Sequence, residues 1–173
     1  KLSAEANALI SEKKFKQAID LLKKFKEKNT ETNAKITLLS ENIISLENEY
    51  LKEILEKTET FNKNFEFDKC TAYLNSVKVD LYQKESIDVV EEKIKLNPKL
   101  KAEHEKELLK QGKQLFHSTR DSIFSLLKIA EIKAAKIKLD SMKAKGLSEE
   151  SYDLFAKIIE SYSYIYGRIE DGL

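Results

Sequence analysis

Apolar residues recur every three or four positions along most of this chain, the spacing that lets an α-helix present one apolar face. The clearest stripe consists of Ile36, Leu39, Ile43, Leu46 and Tyr50. Val77–Leu81 alternates as a strand would, and we expect a loop there. Strand-rich proteins also need frequent turns, but the 173 residues contain only one Pro and four Gly. We therefore predict an all-α fold with helix over more than about two-thirds of the residues. It is either a helical bundle or a short stack of helical hairpins with long connecting helices.

Polar residues between the stripes predict where the first helices begin and end. One helix covers residues 4–12 and a second covers 15–28. A long helix follows the polar residues 29–32 and ends at residues 62–64. The next helix covers 67–79.

Further capping signals divide the second half of the chain. Ser86 caps one helix, and Asn97-Pro98 opens another, with Asn as the N-cap and Pro at the first helical position. Residues 117–121 are the only candidate break in that helix. Gly146 closes the following helix and Ser148 opens the last one. Chain length is that of one domain over residues 1–173.

The apolar pattern suggests an internal repeat. One alignment superposes Phe15, Phe67 and Ile132, and then Ala18, Cys70 and Ala135 three residues later. The same alignment brings together Leu22, Leu74 and Leu139, and in the partner helices Leu39, Val90 and Phe155. Any two amphipathic helices share part of such a pattern, so ordinary helical patterning is the alternative interpretation.

The first hairpin resembles a tetratricopeptide unit. The resemblance covers residues 1–28 and lies in Ala6, Leu9, Lys14, Phe15, Ala18, Leu22 and Phe25. It lacks the family's Trp, its first-helix Gly, where Ala6 stands, and its closing Pro, where Thr30 stands. The repeat offsets of 52 and 65 residues also differ from about 34 in that family. The resemblance implies a stack of helical hairpins with long helices inserted.

Composition carries a second resemblance. The chain is rich in Lys, poor in Gly and Pro, and free of Trp, and in this it is similar to the helical outer-surface lipoproteins of spirochaetes. That resemblance implies binding of host or vector proteins. Because the first residue is Lys1 rather than Met, we expect that a leader or a longer parent was removed. The expected location is the cell surface if a leader was removed, and the cytoplasm otherwise.

Charge and hydropathy argue against two classes of partner. The net charge is +1, and only Arg120 and Arg168 among 31 basic residues are Arg, the residue that phosphate sites favour. We therefore expect no nucleic-acid partner. The longest nearly apolar run, residues 123–130, is far shorter than the roughly 20 residues that span a bilayer, so we expect no transmembrane segment.

The sequence contains no recognisable catalytic, cofactor or metal motif. His104 and His117 are the only histidines, and thirteen residues of straight helix place them on different faces. Neither has Glu three residues before it, as a helical di-metal site requires, and Cys70 is alone. We therefore expect no enzyme, cofactor or metal site. Asp and Glu are abundant, so the sequence leaves open a site made of paired carboxylates. It also leaves open a pocket for a lipid or a cofactor.

The last helix carries an unusual density of aromatic residues. One stripe consists of Tyr152, Phe155, Ile159, Tyr162, Tyr166 and Ile169. We expect intramolecular burial of Phe155, Ile159 and Tyr162, and exposure of Tyr164, which lies off the stripe. Tyr164 and Tyr166 are the candidate partner-binding residues, since Tyr anchors interfaces well.

These observations favour a non-enzymatic helical protein-interaction or scaffolding domain that binds a protein partner. The alternative is the surface-exposed domain of a bacterial, spirochaete-like lipoprotein that binds host or vector proteins by the same kind of surface.

Overall fold

The protein is almost entirely helical. The computed structural model describes residues 2–25 and 30–170, and the side chains of residues 2–25 and 33–169. Helix covers 89% of the described chain, with no strand in it, which confirms the predicted all-α fold. The seven helices of this part are α1 (Leu2–Ser11), α2 (Phe15–Phe25), α3 (Thr30–Lys63), α4 (Phe67–Lys78), α5 (Lys84–Lys128), α6 (Ile132–Ala144) and α7 (Glu149–Glu170).

The chain divides into two compact units. Unit 1 comprises Lys1–His104 and unit 2 comprises Glu105–Leu173, so the boundary falls inside α5. The sequence predicts one domain over residues 1–173 from its length, and length does not reveal this division.

Unit 1 contains two hydrophobic clusters. The first joins α1, α2 and the first half of α3, with Phe15, Leu22 and Ile43 at its centre. The second joins the later part of α3, α4 and the start of α5, around Ile54 and Leu74. Helix α2 lies close along α1 and α3, and α4 lies close along α3. Helices α2 and α4 therefore both lie against the long helix α3, whereas α1 lies against α2.

Unit 2 has a single described core. It joins the end of α5, α6 and α7, and its buried members include Ile123, Leu127, Leu139, Phe155 and Ile159. Helix α6 lies close along α7. Leu147 lies in the loop between α6 and α7, and its side chain is also buried in this core.

The helix start predicted at Asn97-Pro98 is wrong, because α5 runs through both residues without a break. The Asn97 side chain does not cap a helix. It is buried, and its Nδ2 donates hydrogen bonds to the Phe67 carbonyl oxygen at 3.3 Å and to Thr71 Oγ1 at 3.1 Å. Pro98 is exposed inside the helix, where it removes one helical hydrogen bond. Contacts with α4 therefore override the local signal.

Other predicted boundaries have mixed outcomes. Residues 117–121 do not break α5, and Ser86 is a buried residue inside α5 rather than its cap. The loop expected near Val77–Leu81 is confirmed, since α4 ends at Lys78 and residues 79–83 are not helical. The predicted end of the second helix at Lys28 lies outside the described residues.

Three helix ends share one backbone geometry. A residue with a left-handed backbone stands two positions before α2, α4 and α6, and these residues are Lys13 (φ 62°), Phe65 (φ 58°) and Ala130 (φ 59°). At each turn the next amide donates to a carbonyl oxygen five residues earlier, in the pairs Lys14 to Leu9, Glu66 to Phe61 and Glu131 to Leu126, all at 2.9 Å. This is the Schellman pattern of helix termination.

The three turns lie in the register of the predicted repeat. They define three motifs, each of three consecutive helices: α1–α2–α3, α3–α4–α5 and α5–α6–α7. Three residues after the first residue of α2, α4 and α6 stand Ala18, Cys70 and Ala135, and all three are fully buried. Helix spacing differs among the motifs, because α4 and α5 do not approach as closely as α2 and α3 or α6 and α7. The three motifs therefore share turn geometry and burial but not a constant helix spacing, and the internal repeat stays a prediction.

Two substitutions at helix ends of unit 2, Gly146→Ala and Ala130→Gly, should change the free energy of unfolding in opposite directions. Gly146 has φ 97°, and an added Cβ would meet no atom within 4 Å, so Gly146→Ala adds backbone strain alone. We expect it to lower the free energy of unfolding by about 1 kcal/mol. Ala130→Gly should raise that free energy by about 0.5 kcal/mol, because relief of strain exceeds the added flexibility of the unfolded chain. Urea denaturation measures both, and shifts of the same sign would contradict the strain argument.

Candidate partner-binding groove

An apolar groove of about 780 Å³ opens on unit 1 between α1, α2 and α3. The less exposed residues of its lining are all apolar and form its floor: Leu22 and Ile36 are buried, and Leu2 and Leu39 are half-buried. Exposed residues surround this floor, and they are Ser3, Lys35, Leu38, Glu41 and Asn42. The groove therefore offers a hydrophobic floor inside a rim that carries both signs of charge.

Two elements set the shape of the groove. Ala6 and Ala18 are both fully buried, and such small side chains allow α1 and α2 to approach closely. Along the stripe of α3, Ile36 and Ile43 are buried, and Leu39 between them is half-buried. Leu38 lies beside this stripe and is 69% exposed.

Two positions of this floor can be compared with their counterparts in the other motifs. Leu2 corresponds by its distance from the turn to Ile54 and Thr119, and both of these are fully buried. In the predicted alignment, which allows one more residue between the turn and this position in the first motif, Leu39 corresponds to Val90 and Phe155, which are 0% and 1% exposed. In the first motif the same two positions are only half-buried.

In the other motifs, an apolar residue stands one helical turn before the counterpart of Leu2. Leu51 precedes Ile54 by three residues and packs against the cluster that contains Val90. Phe116 precedes Thr119 by three residues, and its ring centroid lies 5.2 Å from that of Phe155. Both residues therefore pack against the core of their own motif.

The aromatic residues predicted to bind a partner do not form one surface. Tyr164 is 65% exposed, as expected, and its hydroxyl accepts a hydrogen bond from Arg168 Nη1 at 3.1 Å. Tyr166 is half-buried; its hydroxyl donates to the Leu127 carbonyl oxygen at 3.5 Å, and its ring lies beside that of Tyr162. Tyr166 thus has a packing role inside unit 2, and only Tyr164 presents its ring to solvent.

Burial along α7 otherwise agrees with the pattern. Phe155 and Ile159 are each 1% exposed, which confirms their predicted burial, whereas Tyr162 is half-buried. The sequence did not reveal the groove as a site, because Ile36 and Leu39 belong to the same core stripe as Ile43. The one available signal was Leu38, an apolar residue directly beside that stripe.

Several side chains that could carry chemistry lie in packed surroundings. No group of three or more His, Cys, Asp or Glu residues among them is placed to hold a metal ion. His104 stacks on the Phe65 ring with centroids 3.8 Å apart, and Cys70 is buried. Desolvation raises the pKa of Tyr73 to about 12, and the hydrogen bond to Asp140 raises the pKa of Tyr152. Both shifts move these hydroxyls further from proton transfer at neutral pH.

Among the described residues, none of the helices has the length and apolarity needed to cross a membrane. Comparisons with protein-family models, with curated proteins and with solved structures found no match for this chain.

Proposed function

We propose that the protein is a non-enzymatic interaction module that binds a segment of a partner protein in the groove of unit 1. The observation that carries this proposal is the apolar lining of the groove, in which Leu39 is half-buried and Leu38 beside it is 69% exposed. Apolar surface left open at a core position gains free energy when a partner covers it.

The character of the groove supports a protein ligand rather than a small polar one. Leu22, Ile36 and Leu39 form its floor, and the charged residues described in its lining, Lys35 and Glu41, are exposed at the rim. An apolar groove on helices is a common site for an amphipathic segment whose side chains enter it at regular spacing. The exposed side chain of Leu38 extends this apolar surface on one flank.

Site-specific photo-crosslinking in the native cells tests the proposal. A photoreactive phenylalanine at position 38 should form an adduct with one partner protein, and mass spectrometry should map the adduct to one segment of it. Ile137 is 71% exposed on α6 of unit 2 and provides the control position. The milder groove change Leu39→Ala should reduce the adduct at position 38. Identical adducts at positions 38 and 137, or no adduct at 38, would contradict the proposal.

Composition indicates an alternative role as a surface lipoprotein domain that binds host or vector proteins. Such a protein would present the same groove to a different class of partner. The coding sequence upstream of Lys1 tests this role, which requires a signal peptide with a lipidation cysteine.

A further inference from the structure

A polar cleft of about 480 Å³ lies between α4 and α5 in unit 1. It lies where α4 and α5 approach each other less closely than α3 and α4 do. Its polar lining comes from Asp68, Thr71 and Asn75 on α4 and from Asn97 and Lys101 on α5. The cleft shares no described lining residue with the apolar groove of the same unit, so it is a separate feature.

Asn97 supplies a buried hydrogen-bond acceptor to this cleft. The residue is 2% exposed, and its Nδ2 donates to the Phe67 carbonyl oxygen and to Thr71 Oγ1. Because a carbonyl oxygen can only accept, the bond to Phe67 fixes which end of the amide faces α4, and Oδ1 is the other end. Within the described part of the chain, no group donates a hydrogen bond to Asn97 Oδ1. Buried amide oxygens usually have a donor, so Oδ1 is an atom that a bound molecule can satisfy.

Further acceptors lie along α4 at the same cleft. Asn75 uses Nδ2 to donate to the Thr71 carbonyl oxygen at 3.0 Å, so its Oδ1 is an acceptor there. Asp68 stands seven residues earlier, two helical turns away, and its carboxylate oxygens accept from Lys101 Nζ at 2.9 and 2.8 Å. The charges of this ion pair cancel. The cleft therefore favours a neutral ligand that carries several hydrogen-bond donors.

An exposed aromatic ring adjoins the cleft. A smaller recess of about 240 Å³ shares Phe67, Asp68 and Lys101 with it, and Phe65 also lines this recess. The Phe65 ring is 58% exposed but held in place, because it stacks on the His104 ring with centroids 3.8 Å apart and planes inclined by 8°. A flat apolar ring next to hydrogen-bond acceptors suits a molecule with both an apolar face and hydroxyl groups.

We infer that these two adjoining recesses form a binding site for a neutral disaccharide. A sugar ring has apolar C–H faces that pack on an aromatic ring, and each of its hydroxyl groups can donate one hydrogen bond. Asn97 and His104 are seven residues apart on α5, about 10 Å along the helix, and two linked sugar rings cover that distance. One ring would lie on Phe65, and hydroxyl groups of the other would donate to Asn97 Oδ1 and Asn75 Oδ1. This site is independent of the groove and of the partner proposed for it.

A nuclear magnetic resonance titration of the isotope-labelled chain tests the site. The probes are maltose, cellobiose and N,N′-diacetylchitobiose, all of them neutral. At least one should bind with a Kd of roughly 0.1–10 mM. It should shift the side-chain amide signal of Asn97 and the backbone amide signals of residues 65–75, while residues 132–159 of unit 2 keep their signals.

Two pairs of variants locate the binding. Phe65→Ala removes the aromatic ring and should weaken binding about tenfold, whereas Tyr164→Ala removes an equally exposed ring in unit 2 and should leave the Kd unchanged. Ala72→Leu fills the cleft from an exposed position on α4 and should also weaken binding about tenfold or more. Ser76→Leu adds the same side chain at an exposed position outside the described lining and is its matched control. Circular dichroism verifies that each variant keeps its helix content.

Each of the other outcomes overturns the inference. If none of the three disaccharides shifts the Asn97 side-chain amide at about 50 mM, water alone satisfies Oδ1 and the cleft is not a sugar site. Binding that Phe65→Ala and Ala72→Leu leave unchanged would place the sugar elsewhere on the molecule. None of these results changes the crosslinking expected at position 38, so the two proposals stand or fall separately.

Discussion

Replacement of Phe155 by alanine should lower the free energy of unfolding of unit 2 by about 4 kcal/mol. Phe155 is 1% exposed and belongs to the core that joins the end of α5 to α6 and α7. Truncation removes a fully buried ring and leaves a cavity among side chains from three helices. It also removes the aromatic contact with Phe116, which adds about 0.5–1.5 kcal/mol to such a pair.

The neighbouring residue provides the control. Leu154 is 49% exposed on the same helix, and Leu154→Ala should cost less than about 1 kcal/mol because most of its side chain stays in water. Hydrogen exchange of amides in residues 132–159 is the appropriate measurement, since it reports the stability of unit 2 separately from that of unit 1. Similar losses for the two variants would show that the aromatic stripe of α7 is not core.

Periodicity predicted the helices well because burial of one face requires a spacing of 3.6 residues wherever a helix lies on a core. Helix boundaries depend on a weaker balance. At Asn97-Pro98 the local sequence favours a new helix, but the buried amide of Asn97 bonds to α4 instead. Burial with satisfied hydrogen bonds outweighs a capping preference of about 1 kcal/mol.

The turns before α2, α4 and α6 could not be predicted from composition. Left-handed residues are usually Gly or Asn, whereas the chain places Lys13, Phe65 and Ala130 there. Each costs about 1–2 kcal/mol in backbone strain, which packing of the flanking helices must offset. The alignment that begins at Phe15, Phe67 and Ile132 detected the position of these turns but not their conformation.

The candidate site escaped prediction for a different reason. An amphipathic stripe shows which face of a helix is apolar, but it does not show whether another helix covers that face. Leu39, Val90 and Phe155 occupy equivalent positions in the pattern, yet only Leu39 remains half-buried. Exposure of this kind depends on tertiary contacts with the preceding helix. Tyr164 was predictable because it lies off every apolar stripe of α7.

The second large effect concerns Glu47, a charged residue of α3 that is fully buried. Its carboxylate oxygens accept hydrogen bonds from the Tyr82 amide at 3.1 and 3.2 Å and from the Gln83 amide at 2.8 Å. These amides immediately precede α5, where backbone donors lack helical partners and negative charge is favourable. The Gln83 side chain returns to α3 and donates to the Ile44 carbonyl oxygen at 3.2 Å and to Asn48 Oδ1 at 2.9 Å. Glu47 therefore fixes the start of α5 against α3.

We expect Glu47→Ala to lower the free energy of unfolding of unit 1 by about 3 kcal/mol, because two partly buried amides lose charged acceptors and a cavity remains where the buried Glu47 side chain was. Glu47→Gln retains one acceptor oxygen and should lose about half as much. Exposed Glu49 on the same helix is the matched control, and Glu49→Ala should cost less than about 0.5 kcal/mol. Hydrogen exchange of the Tyr82 and Gln83 amides measures the local effect alongside urea denaturation. If Glu47→Ala matched Glu49→Ala in both measurements, water would be replacing the carboxylate, and the junction of α3 with α5 would depend on its apolar contacts alone.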